Sequence, residues 1–192
     1  MLLEKLLKGF NYSTSTFNLK ESKLFDQYFE RILISKGTFL VKEGEIERYS
    51  YFVFDGILRC WLLNHKREEQ IFWFCKKGTF SMSNISFTLQ TKSAFNVQTI
   101  VDSVIYRIDK KQENELYTAI PKVKTVFEDL NAILLNKLLK RNIDLIKYSP
   151  EQYYLQMIEE YGITLNYIPL KDIASYLGIT PQALSRIRKR IF

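Results

Sequence analysis

The sequence is poor in the residues that form metal sites and disulfide frameworks. Its 192 residues include one histidine, His65, and two cysteines, Cys60 and Cys75. No metal-ligand spacing results, and a histidine-based triad would have to use His65, which falls in the polar turn NHKRE. The sequence therefore gives little support to one possible function, that of a metal-dependent enzyme on a cupin-like barrel. The cysteines lie in strand-like runs and are expected to be buried free thiols rather than a disulfide.

Long apolar runs are also missing. No run of about eighteen apolar residues occurs, and the N-terminal MLLEKLLKGF has Glu4 and Lys5 within its apolar pattern and no small-residue cleavage site. This segment predicts a short amphipathic helix rather than a leader. We therefore expect no membrane partner and a cytoplasmic location. A hydrophobic content of 46% lets the chain bury a core, and its length suits one main domain and a small one.

The segment from Glu30 to Ile108 predicts an antiparallel β structure. Short runs rich in Val, Ile, Phe, Tyr and Trp are separated by turn signals such as Glu43-Gly44 and Lys77-Gly78. This pattern is typical of an antiparallel barrel or sandwich. Asp55-Gly56 lies between YSYFVF and ILRCWLL, which predicts a β-hairpin with a tight type I′ turn.

From about Ala119 the apolar period changes to three and four residues, and Pro121 opens a predicted helix of up to about thirty residues. A helix of this length favours pairing with a symmetry mate, as in a two-stranded coiled coil. The alternative is a long helix packed entirely on its own barrel. The predicted dimerisation residues are Val123, Val126, Leu130, Ile133, Leu134, Lys137, Leu138 and Arg141.

The segment from Pro169 to Phe192 predicts two short helices around a glycine turn. The first helix has an apolar stripe formed by Leu170, Ile173, Ala174 and Leu177. Gly178 can end this helix in a left-handed turn, Thr180 can cap the next one, and Pro181 suits its first position. Earlier in the chain, Ser149-Pro150-Glu151-Gln152 resembles a capping box. The predicted domains are therefore 1–118, 119–148 and 149–192.

The second helix of this pair has an apolar face and a polar face. Leu184, Ile187 and Ile191 point back toward the first helix, whereas Gln182, Ser185, Arg186 and Lys189 share the opposite face. This arrangement is typical of a helix-turn-helix, whose second helix reads base edges in the major groove. The alternative is an ordinary helical hairpin with a solvated basic face. The predicted DNA contacts are Thr180, Pro181, Gln182, Ser185, Arg186, Arg188, Lys189 and Arg190, with Arg188 and Arg190 assigned to phosphates.

The charge of the chain is concentrated near its C-terminal end. The net charge is +7, and residues 161–192 contribute five cations against the single carboxylate of Asp172. This balance favours a polyanionic partner such as double-stranded DNA. A ligand sensor or adaptor that binds no DNA is the other alternative, and it would have no need of a basic outer face on the last helix.

Two stretches, in this order, resemble the Crp/Fnr superfamily of bacterial transcription regulators. KGTFLVKEGE followed by YFVFDGILRCW resembles the opening of a cyclic-nucleotide-binding β-roll, and IASYLGITPQALSRIRK resembles the helix-turn-helix of that family. The resemblance covers nearly the whole chain. It implies an α+β chain with an antiparallel β-roll (a double-stranded β-helix), a long dimerisation helix and a small C-terminal helix-turn-helix domain.

The same resemblance implies a function without catalysis. It predicts a homodimer that reads a near-palindromic DNA site, regulates transcription and has RNA polymerase as a partner. On this resemblance Gln182 and Arg186 match the base-contacting positions, while Pro181 replaces a residue that is usually polar. Family members often continue into wing strands after the recognition helix. Because this sequence stops at Phe192 and residues 162–168 leave little room for a hairpin, the wing is expected to be reduced or absent.

The resemblance is weaker at the effector site. Members that bind cyclic AMP hold the ribose with the carboxylate of a Gly-Glu-Leu run and the phosphate with an Arg-Ser-Ala run. Here Ser83 falls near the expected Glu, and Lys92-Ser93-Ala94 replaces Arg-Ser-Ala. Because lysine lacks the planar fork of arginine and the carboxylate is lost, we expect no cofactor and an effector other than cyclic AMP, or none. The candidate pocket residues are Phe80, Met82, Ser83, Lys92, Ser93 and Ala94. The alternative is that Phe80 and Met82 fill the barrel and that Lys92 and Ser93 are ordinary loop residues between strands.

Overall fold

A computed structural model describes residues 1–81 and 84–191, apart from the side chains of Thr14 and Asn84. Its contacts divide the chain into two compact units. The N-terminal unit comprises Met1–Cys60 and Phe74–Ile133, and the C-terminal unit comprises Trp61–Trp73 and Leu134–Phe192. Within the described residues, no helix is both long and apolar enough to cross a bilayer.

The chain begins with helices α1 (Leu2–Gly9) and α2 (Leu19–Gln27), between which lies a 3₁₀ turn, Thr14–Thr16. All four leucines of α1 are buried, which confirms the predicted amphipathic helix. The carboxylate of Asp26 accepts hydrogen bonds from the amides of Leu2 and Leu3 at 2.9 and 3.1 Å. A side chain of α2 thus satisfies two of the amide groups that the first turn of a helix leaves without partners.

The β part consists of two antiparallel sheets, which confirms the predicted class. Its strands are β1 (Glu30–Ile34), β2 (Phe39–Val41), β3 (Tyr49–Asp55), β4 (Ile57–Leu63), β5 (Glu69–Lys76), β6 (Asn96–Thr99) and β7 (Ser103–Asp109). One sheet has the order β1-β7-β3 and the other the order β2-β6-β4-β5. Both β1 and β3 pair with β7 in antiparallel register.

The predicted hairpin at Asp55-Gly56 is wrong, because β3 and β4 belong to different sheets. Gly56 has a φ of 113°, and a Cβ atom at this position would lie 2.2 Å from the Ser103 hydroxyl oxygen. The chain therefore passes against the start of β7 as it crosses from one sheet to the other. Glycine is needed for this corner and its close approach rather than for a type I′ turn.

The neighbouring strands β4 and β5 are instead connected by the turn Asn64–Glu68. The Asn64 amide donates to the Glu68 carbonyl at 3.0 Å, and the Asn64 side-chain oxygen accepts from the Lys66 and Glu68 amides. His65 is exposed in this turn, as predicted. Both cysteines are buried thiols, as expected, and the two strands bring their sulfur atoms to 3.7 Å.

Helices α3 (Asn84–Leu89), α4 (Lys110–Ala119) and α5 (Lys122–Lys147) complete the part of the chain before the capping box. Helix α5 has 26 residues, which agrees with the predicted long helix. Within the N-terminal unit, Phe80 is the centre of an aromatic core. Its ring centroid lies 5.5 Å from that of Phe52, 5.4 Å from that of Phe127 and 6.2 Å from that of Phe10.

Helices α6 (Pro150–Tyr161), α7 (Leu170–Tyr176) and α8 (Pro181–Ile191) follow, with a 3₁₀ segment, Gly162–Tyr167, between α6 and α7. Ser149 and Gln152 exchange the two hydrogen bonds of a capping box, so the predicted helix start is confirmed. Among the described residues from 110 to 191 every named element is helical. The stretch predicted to be too short for a wing hairpin thus forms the 3₁₀ segment.

Candidate nucleic-acid interface

The turn between α7 and α8 has the predicted glycine geometry. Gly178 has a φ of 71°, in the left-handed region. Its amide donates to the Ser175 carbonyl at 3.1 Å, and the Ile179 amide donates to the Ala174 carbonyl at 3.0 Å. These bonds satisfy carbonyl groups at the end of α7 and reverse the chain direction within a few residues.

Helix α8 begins at Pro181, and Thr180 caps it as predicted. The Thr180 hydroxyl oxygen accepts a hydrogen bond from the Ala183 amide at 3.2 Å. Leu184 and Ile187 are buried, as are Ile173 and Ala174 of α7. Leu170 differs from the predicted stripe, because its side chain is 44% exposed. The buried residues of both helices still determine which side of α8 faces away from α7.

The predicted reading face of α8 is exposed along its length. Gln182, Ser185, Arg186 and Lys189 follow a spacing that places them on one side of the helix, and all four are exposed. We call these four residues the reading face. Glutamine and arginine are the side chains that pair with adenine and guanine edges, respectively. The geometry therefore presents a glutamine, an arginine and a lysine side chain on one exposed surface.

The remaining cations of α8 have different surroundings. The Arg190 guanidinium donates to a carboxylate oxygen of Glu151, which lies on α6. Arg188 is half-buried. Because both members of the Arg190 pair are substantially exposed, the pair contributes about 0–1 kcal/mol, and Arg190 can exchange Glu151 for a phosphate at little cost. Phosphate contacts by Arg188 and Arg190 stay predictions.

The end of α7 is held by Arg141 and Tyr153, which are not among the predicted DNA contacts. The Arg141 guanidinium lies 4.4 Å above the Tyr176 ring and donates to the Tyr176 carbonyl at 3.0 Å. The Tyr153 hydroxyl also donates a hydrogen bond to the Tyr176 hydroxyl at 3.3 Å. Burial raises the pKa of both tyrosines, so both stay neutral. No local pattern identifies Tyr176, because its partners come from α5 and α6.

The predicted dimerisation residues do not form one exposed face. Four of them are buried within their own protomer: Val123, Val126, Leu130 and Leu134. Ile133, Lys137, Leu138 and Arg141 are half-buried. Their prediction as dimer contacts is corrected for the four buried residues, because those side chains are already covered in a single chain. A different stripe of α5 is exposed, and it consists of Leu135, Leu139, Ile143 and Ile146.

The predicted effector residues do not come together in one pocket within the described part of the chain. Phe80 lies in the aromatic core, and Met82 and Ser83 lie outside the described residues. Lys92 and Ala94 are exposed. Ser93 is buried, with its amide donating to the Glu45 carbonyl at 2.8 Å and its hydroxyl to the Phe95 carbonyl at 2.7 Å. Both groups therefore stabilise the loop that contains them.

A cavity of about 210 Å³ lies in the N-terminal unit, and among the described residues predicted for the effector site Phe80 alone lines it. Phe80, Phe87 and Phe127 form apolar parts of its lining. The ionisable residues that line it are Glu47, Lys110, Glu113, Tyr117, Lys124 and Glu128. Lys110 and Glu113 form an ion pair at 2.6 Å, and burial together with the Glu113 carboxylate raises the pKa of Tyr117. Three carboxylates against two lysines make the lining a poor match for a phosphate.

Among the described residues, no group of three or more His, Cys, Asp or Glu side chains could hold a metal ion. In comparisons with known proteins, residues 31–119 match the family described as the cyclic nucleotide-binding domain. A search among curated proteins found no match. The family match begins at the second residue of β1, includes β2 to β7, and ends with the last residue of α4.

Solved structures of regulators share the fold over most of the chain. FixK2 from Bradyrhizobium japonicum is 17% identical, with a TM-score of 0.72, and the match covers 85% of this chain and 84% of that one. CLP from Xanthomonas campestris, described as a c-di-GMP responsive global regulator, is 12% identical, with a TM-score of 0.70 and 91% of both chains covered. The Thermus thermophilus catabolite activator protein is 18% identical, with a TM-score of 0.58, covering 97% of this chain and 86% of that one.

Removing the cap of α8 tests the helix start that orients the reading face. We expect Thr180→Ala to destabilise the protein by about 1 kcal/mol, because the Ala183 amide loses its acceptor. Hydrogen exchange at the Ala183 amide and chemical denaturation measure this change. Thr180→Ser is the matched control and should stay close to wild type. Equal behaviour of the alanine and serine variants would contradict the cap.

Proposed function

We propose that this protein is a homodimeric, sequence-specific DNA-binding regulator of transcription of the Crp/Fnr type, with no catalytic activity. The observation that carries this proposal is the exposed reading face on α8, whose opposite side is buried against α7. The match of residues 31–119 to the cyclic nucleotide-binding domain supports it. The resemblance to the Crp/Fnr superfamily implies such a domain before the helix-turn-helix, which is the order found in this chain. The regulators with a similar fold support it further.

The roles of the reading-face residues follow from their chemistry. Gln182 and Arg186 have the side chains that form paired hydrogen bonds with adenine and guanine in the major groove, so they would provide sequence preference. Lys189 is a point charge that suits a phosphate, so it would provide affinity for any duplex through counterion release. RNA polymerase is the further partner that this function implies.

The exposed stripe of α5 is the proposed dimer contact, and its occupant is the same stripe of a second copy. Leu135, Leu139, Ile143 and Ile146 follow one another at four, four and three residues, and their exposed fractions range from 51% to 89%. Such a stripe is typical of a two-stranded coiled coil. A second copy also supplies the second reading helix, since a palindromic site presents two half-sites about 34 Å apart on one face of B-DNA.

For the N-terminal unit we propose that cyclic AMP is not the effector. Lys92 is exposed, and the amide and hydroxyl groups of Ser93 are already engaged within the loop. A cyclic phosphate bound there would have to replace these bonds without an arginine fork to compensate. Any effector of this protein is therefore a different small molecule.

Substitutions in the reading face separate sequence preference from general affinity. We expect Gln182→Ala with Arg186→Ala to lower the affinity for a selected DNA site by about thirtyfold or more, because two base contacts are lost and each contributes about 1–3 kcal/mol of discrimination. Lys189→Ala should instead weaken binding to all sequences and reduce the dependence of affinity on salt. Fluorescence anisotropy with selected and random duplexes at several salt concentrations measures both effects. An unchanged preference in the double variant would show that another surface reads the bases.

A charge in the exposed stripe of α5 tests the dimer. Leu139→Asp should convert the dimer to a monomer, because the carboxylate would be buried against its own symmetry mate. Analytical ultracentrifugation measures the mass in solution. Ile163→Asp is the matched control, since Ile163 is 75% exposed and lies on the 3₁₀ segment rather than on α5. A wild type that sediments as a monomer, or an Leu139→Asp variant that remains a dimer, would contradict the proposed contact.

Calorimetry with cyclic AMP tests the proposal for the N-terminal unit. We expect no measurable binding at millimolar nucleotide, because both charged anchors of the cyclic AMP site are replaced. Lys92→Arg restores one anchor and serves as the comparison. Micromolar binding of cyclic AMP to the wild type would overturn this part of the proposal.

A further inference from the structure

Ser175 of α7 lies against the outer edge of β5. Its hydroxyl donates to the Glu69 carbonyl at 3.0 Å and accepts from the Ile71 amide at 2.9 Å. The carbonyl of one strand residue and the amide of the residue two positions later point to the same edge of a strand. One serine hydroxyl therefore takes the position that a neighbouring strand would occupy. All of these residues belong to the C-terminal unit.

The side chain of Gln70, which also lies on β5, contacts the backbone of Ser175. The Gln70 side-chain amide donates to the Ser175 carbonyl, which also accepts the Gly178 amide. This carbonyl belongs to the last turn of α7, where carbonyl groups lack partners within the helix. Strand β5 is the last strand in the order of its sheet, so its outer edge is open to such a contact. We call these three hydrogen bonds between Glu69–Ile71 and Ser175 the β5–α7 junction.

The position of the junction links it to the turn of the helix-turn-helix. Ser175 lies three residues before Gly178, whose amide donates to its carbonyl. The next residue, Tyr176, is held by Arg141 of α5. The end of α7 is thus fixed by a strand through one residue and by a helix through the next. Since α8 packs on α7, holding this end of α7 also limits the orientations of the reading face.

We infer that Ser175 is a positioning residue for DNA reading: the β5–α7 junction holds the helix-turn-helix in the orientation that fits its site. The inference rests on the proposed function. Two reading helices in a dimer fit a palindrome only at one separation and orientation, so freedom of α7 in each protomer lowers the affinity for the matched site. Non-specific binding depends on charge and is much less sensitive to that orientation.

Four variants of the whole chain test the inference. Ser175→Ala removes two bonds of the junction, and Gln70→Ala removes the third without changing the hydroxyl. Lys171→Arg, which keeps the positive charge at an exposed position of the same helix, is the control. Alanine favours helices more than serine does, so the Ser175→Ala variant should fold. Ser175→Thr retains a hydroxyl that can restore the bonds.

We expect faster hydrogen exchange at the Ile71 amide in Ser175→Ala, because that amide loses its acceptor. Both junction variants should bind a selected DNA site about three- to tenfold more weakly, a factor within the range of one neutral hydrogen bond. Binding to random duplex should stay at the wild-type level, and Lys171→Arg should match the wild type in exchange and affinity for the selected site. Restoration of site affinity in Ser175→Thr would support positioning by the hydroxyl.

Each other outcome counts against the inference. Unchanged exchange at Ile71 in Ser175→Ala would show that the junction does not form in solution. Faster exchange with unchanged or tighter binding to the selected site would show that the junction does not position the reading face. A wild type that does not distinguish selected from random DNA would overturn the proposed function, while the exchange experiment would still report whether the junction exists.

Discussion

The burial of Leu184 and Ile187 is the constraint on which the functional interpretation depends. A helix of 11 residues can bury only one side, so fixing these two side chains against α7 determines that Gln182, Arg186 and their neighbours face outward. The cap at Thr180 and the left-handed turn at Gly178 set where this helix begins. Without that packing, nothing would determine which side of α8 faces outward, and the same basic residues would not form one defined surface.

Helix α5 shows how one helical pattern can contain surfaces with different surroundings. The same periodicity produces two adjacent apolar stripes, one of which enters the core of the protomer while the other stays exposed. Leu134 and Leu135 are consecutive, yet the first is buried and the second is 68% exposed. The pattern predicted a long helix with a partner, but it could not distinguish the covered stripe from the free one, because both satisfy the spacing of a helix face.

The β part illustrates a different limit. Alternating apolar runs and turn residues predicted antiparallel strands, and these are present. Asp55-Gly56 satisfied the local signal of a hairpin, but strand pairing depends on partners that are distant in the chain. Here β3 pairs with β7, and glycine at position 56 is required by the close approach of Ser103. The 3.7 Å separation of the two cysteine sulfur atoms has the same origin, since neighbouring strands bring together positions fifteen residues apart.

The sequence by itself determined the features that depend on neighbours a few residues away. These are the amphipathic α1, the capping box at Ser149, the glycine turn at Gly178 and the exposed reading face of α8, all of which follow from helix geometry and local hydrogen bonds. Only the tertiary structure decided the order of the strands, the free stripe of α5 and the contact of Ser175 with β5. Each of these joins groups that are distant in the chain, and no local pattern records which distant group will be the partner.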